Sequence, residues 1–381
     1  MVEGAGLTHP FVSRMAHTLI HYCLNVQPGQ FVYLEALPPA EPLLEALVEA
    51  GLRAGGHPYV HMPLPAFDHL LLQYGTDEQI GWLPPPTRVI MEQVDAHLRI
   101  SSAVNTRALD STDPARQRLL QQSLGSLAKV RARRSAAHEM RWCLTLFPTE
   151  ALAQEAGMSL REYEAFVYGA CMVDRDDPIA AWKRLAAHQG GIIRELTGAK
   201  TLRIVAPGTD LRMSVAGRRY VNSDGQRNFP SGEVFTGPVE DSVEGHIQFS
   251  YPAIHQGRRV EGVRLVFQRG EVVEATATRN EDYLTTMIAL DPGARRVGEV
   301  AIGTNTAIQR FTGNTLFDEK MAGTVHLALG QGYAETGSVN TSALHWDMVC
   351  DLRQGGTLFI DDSVVMRDGV LQLPTSNSLG D

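Results

Sequence analysis

Residues 31–61 read FVYLEALPPAEPLLEALVEAGLRAGGHPYVH, and this stretch decides the fold of the first half of the chain. Residues 31–35 predict a short strand, and residues 42–54 predict a helix that ends at Gly55 and Gly56. Residues 58–61 predict a second strand. A strand followed by a helix and another strand is typical of a parallel sheet.

The same alternation continues on both sides of this stretch. Residues 10–24 have the apolar spacing of a helix, and residues 98–101 and 142–146 predict strands with a helix from about 114 to 137 between them. Residues 148–196 are mostly helical in pattern. We therefore predict an α/β class, with an N-terminal doubly wound α/β domain over residues 1–197.

After residue 197 the pattern becomes rich in strands. Segments at 201–205 and 211–215 predict strands, and those at 246–250, 264–267 and 271–276 follow at hairpin spacing, with one helix near 281–289. We predict a C-terminal, β-rich α+β domain over residues 198–381.

Composition excludes several classes of protein. The chain has 381 residues, a formal net charge of −9 and 44% hydrophobic residues, which is ordinary for a globular enzyme. The negative net charge argues against nucleic acid as the main partner, because phosphate binding needs a basic surface. No apolar run approaches the roughly 18 residues that a membrane span needs, so we expect no membrane association. The four cysteines are far apart, which favours reduced core residues in a cytoplasmic protein.

A cluster of potential metal ligands lies in the last third of the chain, where His326, Tyr333, His345 and Asp347 follow one another closely. His345 and Asp347 are two positions apart, which puts both side chains on one face of a strand and turns Trp346 to the other face, towards the core. Because no paired cysteines are available, a metal here needs nitrogen and oxygen ligands.

Three carboxylates extend this pattern upstream: Glu233 and Glu299, which each follow a glycine, and Glu319. Singly, each has a simple structural explanation, since a lone glutamate usually faces solvent and a lone histidine is usually a core residue. Together, the carboxylates and histidines exceed the needs of one tetrahedral zinc, so a centre that shares two ions explains them more simply.

Four phrases carry a resemblance to a known family: GEVFTGP at 232–238, GEVA at 298–301, LFDE at 316–319 leading to HLALGQGY at 326–333, and NTSALHWD at 340–347. In these phrases the chain resembles the M29 metallo-aminopeptidases, the group of aminopeptidases T and S, and the resemblance covers nearly the whole chain. The chain departs from the pattern at Lys320, where the family has another polar residue, and in a slightly longer step from Glu319 to His326.

The resemblance implies a metal-binding catalytic domain in the second half, with two divalent ions (Zn, Co, Mn or Mg). It implies a homodimer that encloses a cavity and removes N-terminal residues from short peptides. A bridging carboxylate is expected at Glu299 or Asp347, and Tyr333 is expected to donate a hydrogen bond to the developing oxyanion. Glu240 lies in the same phrase as Glu233; we expect it on the loop surface or beside the ligands, and it is the first substitute if one of the ligands is misassigned. The implied metal ligands are Glu233, Glu299, Glu319, His326, His345 and Asp347, with Tyr333 as a further ligand or close neighbour.

Two other functions fit parts of the pattern. A mononuclear Fe(II) ring-opening dioxygenase, similar to the dihydroxypyridine dioxygenases, would need only His326, His345 and Asp347. A dimeric binding module with a structural metal is a third reading, although structural zinc usually involves thiolates. The presence of all three glutamates favours the hydrolase.

Overall fold

The computed structural model describes residues 9–373, and the chain folds into two compact units. The first unit runs to Ile179 and includes Gly225–Phe229, and the second contains Ala180–Asp224 and the chain from Pro230 onward. The helix Pro178–Leu196 thus groups almost entirely with the second unit, whereas the sequence assigned it to the first domain. Its residues Ile192 and Leu196 are buried in the core of the second unit, which explains the difference.

The first unit is built on a parallel sheet of five strands in the order β2-β1-β3-β4-β8. The short strand β8 comes from the second half of the chain. The predicted α/β class, with a parallel sheet, is therefore confirmed. The strands of this sheet are β1 (Phe31–Ala36), β2 (His57–His61), β3 (Ala96–Ser101), β4 (Arg141–Leu146) and β8 (Asn228–Phe229).

The first unit contains every helix predicted before Pro178 and three short helices that the sequence did not predict. The unpredicted helices α3 to α5 lie between β2 and β3, where prolines and short length hide the helical period. The helices are α1 (Pro10–Thr18, followed by a π-helical turn Leu19–Cys23), α2 (Glu41–Arg53), α3 (Phe67–Tyr74), α4 (Asp77–Gly81), α5 (Pro85–Gln93), α6 (Pro114–Ala136), α7 (Glu150–Glu155) and α8 (Leu160–Ala170).

The second unit contains two large sheets. An eight-stranded antiparallel sheet has the order β14-β13-β10-β6-β5-β18-β19-β20, a five-stranded antiparallel sheet has the order β17-β16-β15-β9-β7, and β11 pairs with β12. The elements are α9 (Pro178–Leu196), β5 (Thr201–Ala206), β6 (Thr209–Ser214), β7 (Val221–Ser223), β9 (Glu233–Thr236), β10 (Glu244–Gln248), β11 (Ala253–His255), β12 (Arg258–Val260), β13 (Arg264–Gln268), β14 (Glu271–Thr276), α10 (Glu281–Ile288), β15 (Val297–Gly303), α11 (Thr315–Asp318), β16 (Thr324–Gly330), β17 (His345–Asp351), β18 (Thr357–Ile360), β19 (Ser363–Arg367) and β20 (Val370–Leu371).

The core of the second unit lies between the two large sheets. One contiguous cluster joins Leu211 and Phe267 of the eight-stranded sheet to Leu327 and Trp346 of the five-stranded sheet. Trp346 is only 1% exposed, as the alternation around it predicts. The opposite face of the five-stranded sheet is therefore left for the polar side chains of β15, β16 and β17.

No helix within residues 9–373 is both long enough and apolar enough to cross a membrane.

Candidate metal centre

Strand register brings the candidate ligands into adjacent rows across the five-stranded sheet. Glu299 of β15 lies opposite Ala328 of β16, and Ala328 lies opposite Asp347 of β17. In the neighbouring row Ala301 lies opposite His326. Directly opposed residues point to the same face, so the two alanines leave room between the longer polar side chains. Neither alanine has a distinctive signal in the sequence, although His326 and Ala328 share the two-residue period of β16.

The structure brings all six predicted ligand side chains together in three overlapping groups. Within each group, one nitrogen or oxygen atom per residue lies within 4.8 Å of the others. The groups are Glu233 with Glu299 and His326, Glu299 with His345 and Asp347, and Glu319 with His326 and Asp347. Because each group shares residues with the others, they form one cluster rather than separate sites.

Two carboxylates lie between the two imidazoles. Glu299 Oε1 is 3.5 Å from His326 Nε2, and Glu299 Oε2 is 3.6 Å from His345 Nε2. Asp347 Oδ1 is 3.8 Å from His326 Nε2 and 3.5 Å from His345 Nε2. Glu233 Oε2 lies 3.8 Å from His326 Nε2. The cluster thus has a His326 side and a His345 side, joined by Glu299 and Asp347.

Both histidines are oriented by main-chain carbonyls. His326 Nδ1 lies 3.0 Å from the carbonyl of Glu319, and His345 Nδ1 lies 2.9 Å from the carbonyl of Gln331. A carbonyl only accepts hydrogen bonds, so each Nδ1 carries the proton and donates it. In a neutral imidazole this leaves the Nε2 lone pair facing the cluster, which is the arrangement that metal-binding histidines have. Gly330, with φ of +97°, gives the backbone the turn that precedes the Gln331 carbonyl.

Burial and charge change the pKa of several groups in the cluster. Burial alone lowers the pKa of His345, but the neighbouring carboxylates of Asp347 and Glu299 outweigh it and raise the pKa to about 10. Burial raises the pKa of Glu299, and the His326 imidazole opposes this only in part. The raised pKa of His345 follows from the negative charge of the carboxylates around its ring.

Lys320 lies inside the same cluster, and the sequence did not predict this. Its side chain is 0% exposed, and Nζ is in contact with Glu319 Oε1 and 3.4 Å from Glu233 Oε1. Lys320 follows the short helix α11, whose start Asn314 caps by accepting a hydrogen bond from the amide of Leu316. The neighbouring Asp318 is buried and accepts hydrogen bonds from the amide and hydroxyl of Thr312, which fixes the turn.

Tyr333 borders the His345 side of the cluster. Its ring meets the His345 ring edge-on with centroids 5.4 Å apart and packs 5.3 Å from Phe235, and its side chain is 40% exposed. Burial and the negative charges of Glu299 and Asp347 raise the pKa of the Tyr333 hydroxyl. The phenol therefore stays protonated and able to donate a hydrogen bond.

Glu240 contacts the segment that precedes His345. It accepts hydrogen bonds from the amide of Val339 at 2.7 Å and from the hydroxyl of Ser338 at 3.1 Å, and it pairs with Arg218. Arg218 also donates to the carbonyl of Gly337. The pair therefore braces the segment between Tyr333 and His345, and Glu240 is not among the ligand groups found within residues 9–373.

Comparison with known proteins identifies the family. The family described as "Thermophilic metalloprotease (M29)" matches residues 9–370. The chain belongs to the M29 family. This confirms the predicted family and the predicted enzyme class, a metal-dependent peptidase, and it supports a divalent metal.

Proteins named as aminopeptidases match this chain over half or more of their length. "Aminopeptidase 2" of Geobacillus stearothermophilus is 29% identical over 349 residues, which cover 84% of each chain. "Aminopeptidase T" of Thermus thermophilus is 29% identical over 354 residues, covering 85% of each chain. "Aminopeptidase PepS" of Streptococcus thermophilus is 31% identical over 215 residues, covering 52% of this chain and 51% of its own.

Solved structures agree with the M29 assignment. Wild-type AmpT from Thermus thermophilus superposes with a TM-score of 0.82 at 25% identity, over 95% of this chain and 99% of its own. A 2,5-dihydroxypyridine dioxygenase from Pseudomonas putida KT2440 superposes with a TM-score of 0.60 at 16% identity, over 96% of this chain and 98% of its own. The second likeness shows a shared fold only.

The donor set of this M29 chain fits divalent metal. Two buried carboxylate oxygens, Glu233 Oε2 and Asp347 Oδ1, make no hydrogen bond within residues 9–373. Buried carboxylate oxygens without a donor are costly unless a cation compensates them. Imidazole and carboxylate together suit Zn, Co, Mn or Mg, with Mg less favoured by two histidines.

Proposed function

We propose that this chain is a metal-dependent aminopeptidase that removes the N-terminal residue of short peptides at a two-ion centre. The observation that carries the proposal is Glu299, whose two carboxylate oxygens face two different imidazoles. A carboxylate between two nitrogen ligands is able to bind two neighbouring ions.

The six side chains divide into two positions. His345, Asp347 and Glu299 Oε2 would hold one ion, and His326, Glu233 and Glu299 Oε1 would hold the other, with Glu319 beside the second position. Glu299 belongs to both positions and is our choice for the bridging carboxylate. Ions bound there would lower the pKa of a water molecule and polarise the scissile carbonyl.

The remaining chemistry comes from the chain itself. Tyr333 stays protonated and borders the His345 position, so its hydroxyl is suited to donate a hydrogen bond to the oxyanion that develops on the carbonyl. A carboxylate of the cluster would carry a proton to the leaving amine. The free amine of a peptide would be recognised by the same negative cluster, which favours a chain end over an internal bond.

The test is hydrolysis of a tripeptide by the purified protein loaded with Zn²⁺, Co²⁺ or Mn²⁺, with the N-acetylated tripeptide as control. We expect cleavage of the first bond only, loss of activity on chelation, recovery when metal is restored, and no cleavage of the blocked peptide. Equal cleavage of the blocked peptide, or no cleavage by protein that holds its metal, would contradict the proposal.

A mononuclear Fe(II) dioxygenase is the second candidate, because His326, His345 and Asp347 converge as that chemistry needs. Glu233 and Glu299 in the same cluster favour the hydrolase, since a dioxygenase has no use for them as ligands. Metal analysis separates the two: one iron per chain with oxygen consumption on a dihydroxypyridine supports the dioxygenase.

The homodimer and the cytoplasmic location stay predictions that follow from the family resemblance and the cysteines. All four cysteines are buried, as expected for core residues. Sedimentation equilibrium of the purified protein tests the dimer, and a monomer at micromolar concentration would contradict it.

A further inference from the structure

A buried ammonium group lies on one side of the candidate metal centre. Lys320 Nζ is in contact with Glu319 Oε1 and 3.4 Å from Glu233 Oε1, and the lysine side chain is 0% exposed. A lysine is almost never fully buried unless its charge is paired. The two carboxylates that pair with it are both candidate metal ligands.

The main chain of Lys320 is held in position. Its amide donates to the carbonyl of Phe317 at 3.0 Å, and its carbonyl accepts from the amide of Asn305 at 3.0 Å. The side chain therefore starts from a fixed point and extends into the cluster. The fold therefore determines where the main chain of Lys320 lies.

The ammonium group affects the two halves of the centre differently. Glu233 and Glu319 both group with His326, and the lysine contacts both of them. Glu299 and Asp347 belong to both sides, and they are the two carboxylates that group with His345. The structure thus offers one ion position whose carboxylates pair with imidazoles and another whose carboxylates also pair with a lysine ammonium.

We propose that the Lys320 ammonium competes with a metal ion for the Glu233–Glu319 side of the centre, so that the two ion positions differ strongly in affinity. This inference rests on the proposed two-ion function. The first ion binds His345, Asp347 and Glu299. The second ion binds only when the ammonium leaves Glu233 and Glu319, because two cations a few ångströms apart repel each other strongly in a buried site.

The consequence is an enzyme whose metal loading depends on metal concentration. At low concentration the lysine provides the positive charge of the second position and the chain holds one ion. At high concentration the second ion displaces the ammonium from the two glutamates. Lys320 therefore acts as an internal competitor of the metal.

The test is a titration of the metal-free, full-length protein with Co²⁺, followed by equilibrium dialysis with metal analysis and by the visible absorbance of bound Co²⁺. We expect the native protein to bind one Co²⁺ tightly and a second at least about 100-fold more weakly, because of charge repulsion in the buried site. In Lys320→Met the second Co²⁺ should bind within about 10-fold of the first. Lys200→Met removes one lysine charge from an exposed position of the same unit and should behave like the native protein.

The outcomes are distinguishable. Equal affinity of both positions in the native protein would overturn the inference without any variant, and so would a second position that stays weak in Lys320→Met. Failure of every protein to bind Co²⁺ tightly would contradict the proposed function itself. Because methionine leaves Glu233 and Glu319 without a counter-charge in the metal-free state, circular dichroism checks folding, and Lys320→Gln replaces the variant if it does not fold.

Discussion

His345→Ala is the most direct test of the candidate centre. The substitution removes the Nε2 atom that lies 3.6 Å from Glu299 Oε2 and 3.5 Å from Asp347 Oδ1. The His345 position then keeps two carboxylates and has no nitrogen ligand. We expect it to lose its ion and the protein to lose activity.

The expected loss of activity is much larger than the expected loss of stability. One catalytic ion contributes several kcal/mol to transition-state stabilisation, so kcat/KM should fall at least about 1,000-fold, which corresponds to about 4 kcal/mol. The folded state loses the hydrogen bond from Nδ1 to the Gln331 carbonyl and the ring contact with Tyr333. Each contributes about 1 kcal/mol, which is small beside a typical total stability of about 5–15 kcal/mol.

The assay combines kcat/KM on a free-amine tripeptide with metal analysis and circular dichroism. His246→Ala is the matched control, because His246 is a half-buried histidine on β10 of the other large sheet. It should retain native activity and metal content. A folded His345→Ala protein that keeps its metal and more than about a tenth of native kcat/KM would refute the ligand assignment.

Three further substitutions test other parts of the second unit. Glu299→Gln keeps the shape of the side chain but replaces one ligand oxygen, so metal analysis should show at least one ion lost per chain; unchanged metal content would contradict the bridging role. Arg218→Met leaves Glu240 without its counter-charge and should lower the free energy of unfolding by about 3 kcal/mol, measured by urea unfolding. It should also raise KM, measured by kinetics. A variant with native stability and native KM would show that the pairing of Arg218 with Glu240 is unimportant. Asp351 is held by Arg353 and Tyr251, and although burial opposes it, these donors lower the pKa of Asp351 below its usual 3.8. A carboxylate with a lowered pKa stabilises the fold above its unfolded pKa and loses this contribution as pH falls through the folded pKa. Asp351→Asn should therefore cost about 1 kcal/mol at pH 7 and progressively less below about pH 4, measured by urea unfolding across pH; a difference that does not change with pH would exclude this explanation.

The sequence predicted elements with a strong local signal and missed those without one. The strands β1 and β2 and the helix α2 were predicted within a residue or two, because their apolar periods and end signals are complete. The helix α4 is only five residues long, and its main signal is the capping box between Thr76 and Gln79. Such a signal is too short to stand out between prolines.

The candidate site was also predicted only where the signal is local. The ligand types and the face shared by His345 and Asp347 follow from two-residue alternation, which is a local property. The pairing of Glu240 with Arg218 and the contact of Lys320 with Glu233 depend on residues that only the tertiary fold brings together. No local pattern distinguishes a buried ammonium from a lysine on a solvated turn, so the charge inside the cluster could not be predicted.

The carbonyls that orient the two histidines have a consequence for sequence variation. His326 and His345 donate to the carbonyls of Glu319 and Gln331, and every residue type provides a carbonyl. A substitution of the Gln331 side chain therefore keeps the carbonyl that accepts from His345, whereas a side-chain acceptor would be lost in one mutational step. The backbone path therefore determines the tautomer of each imidazole. The side chains around this centre can differ between related chains while both Nε2 atoms still face it.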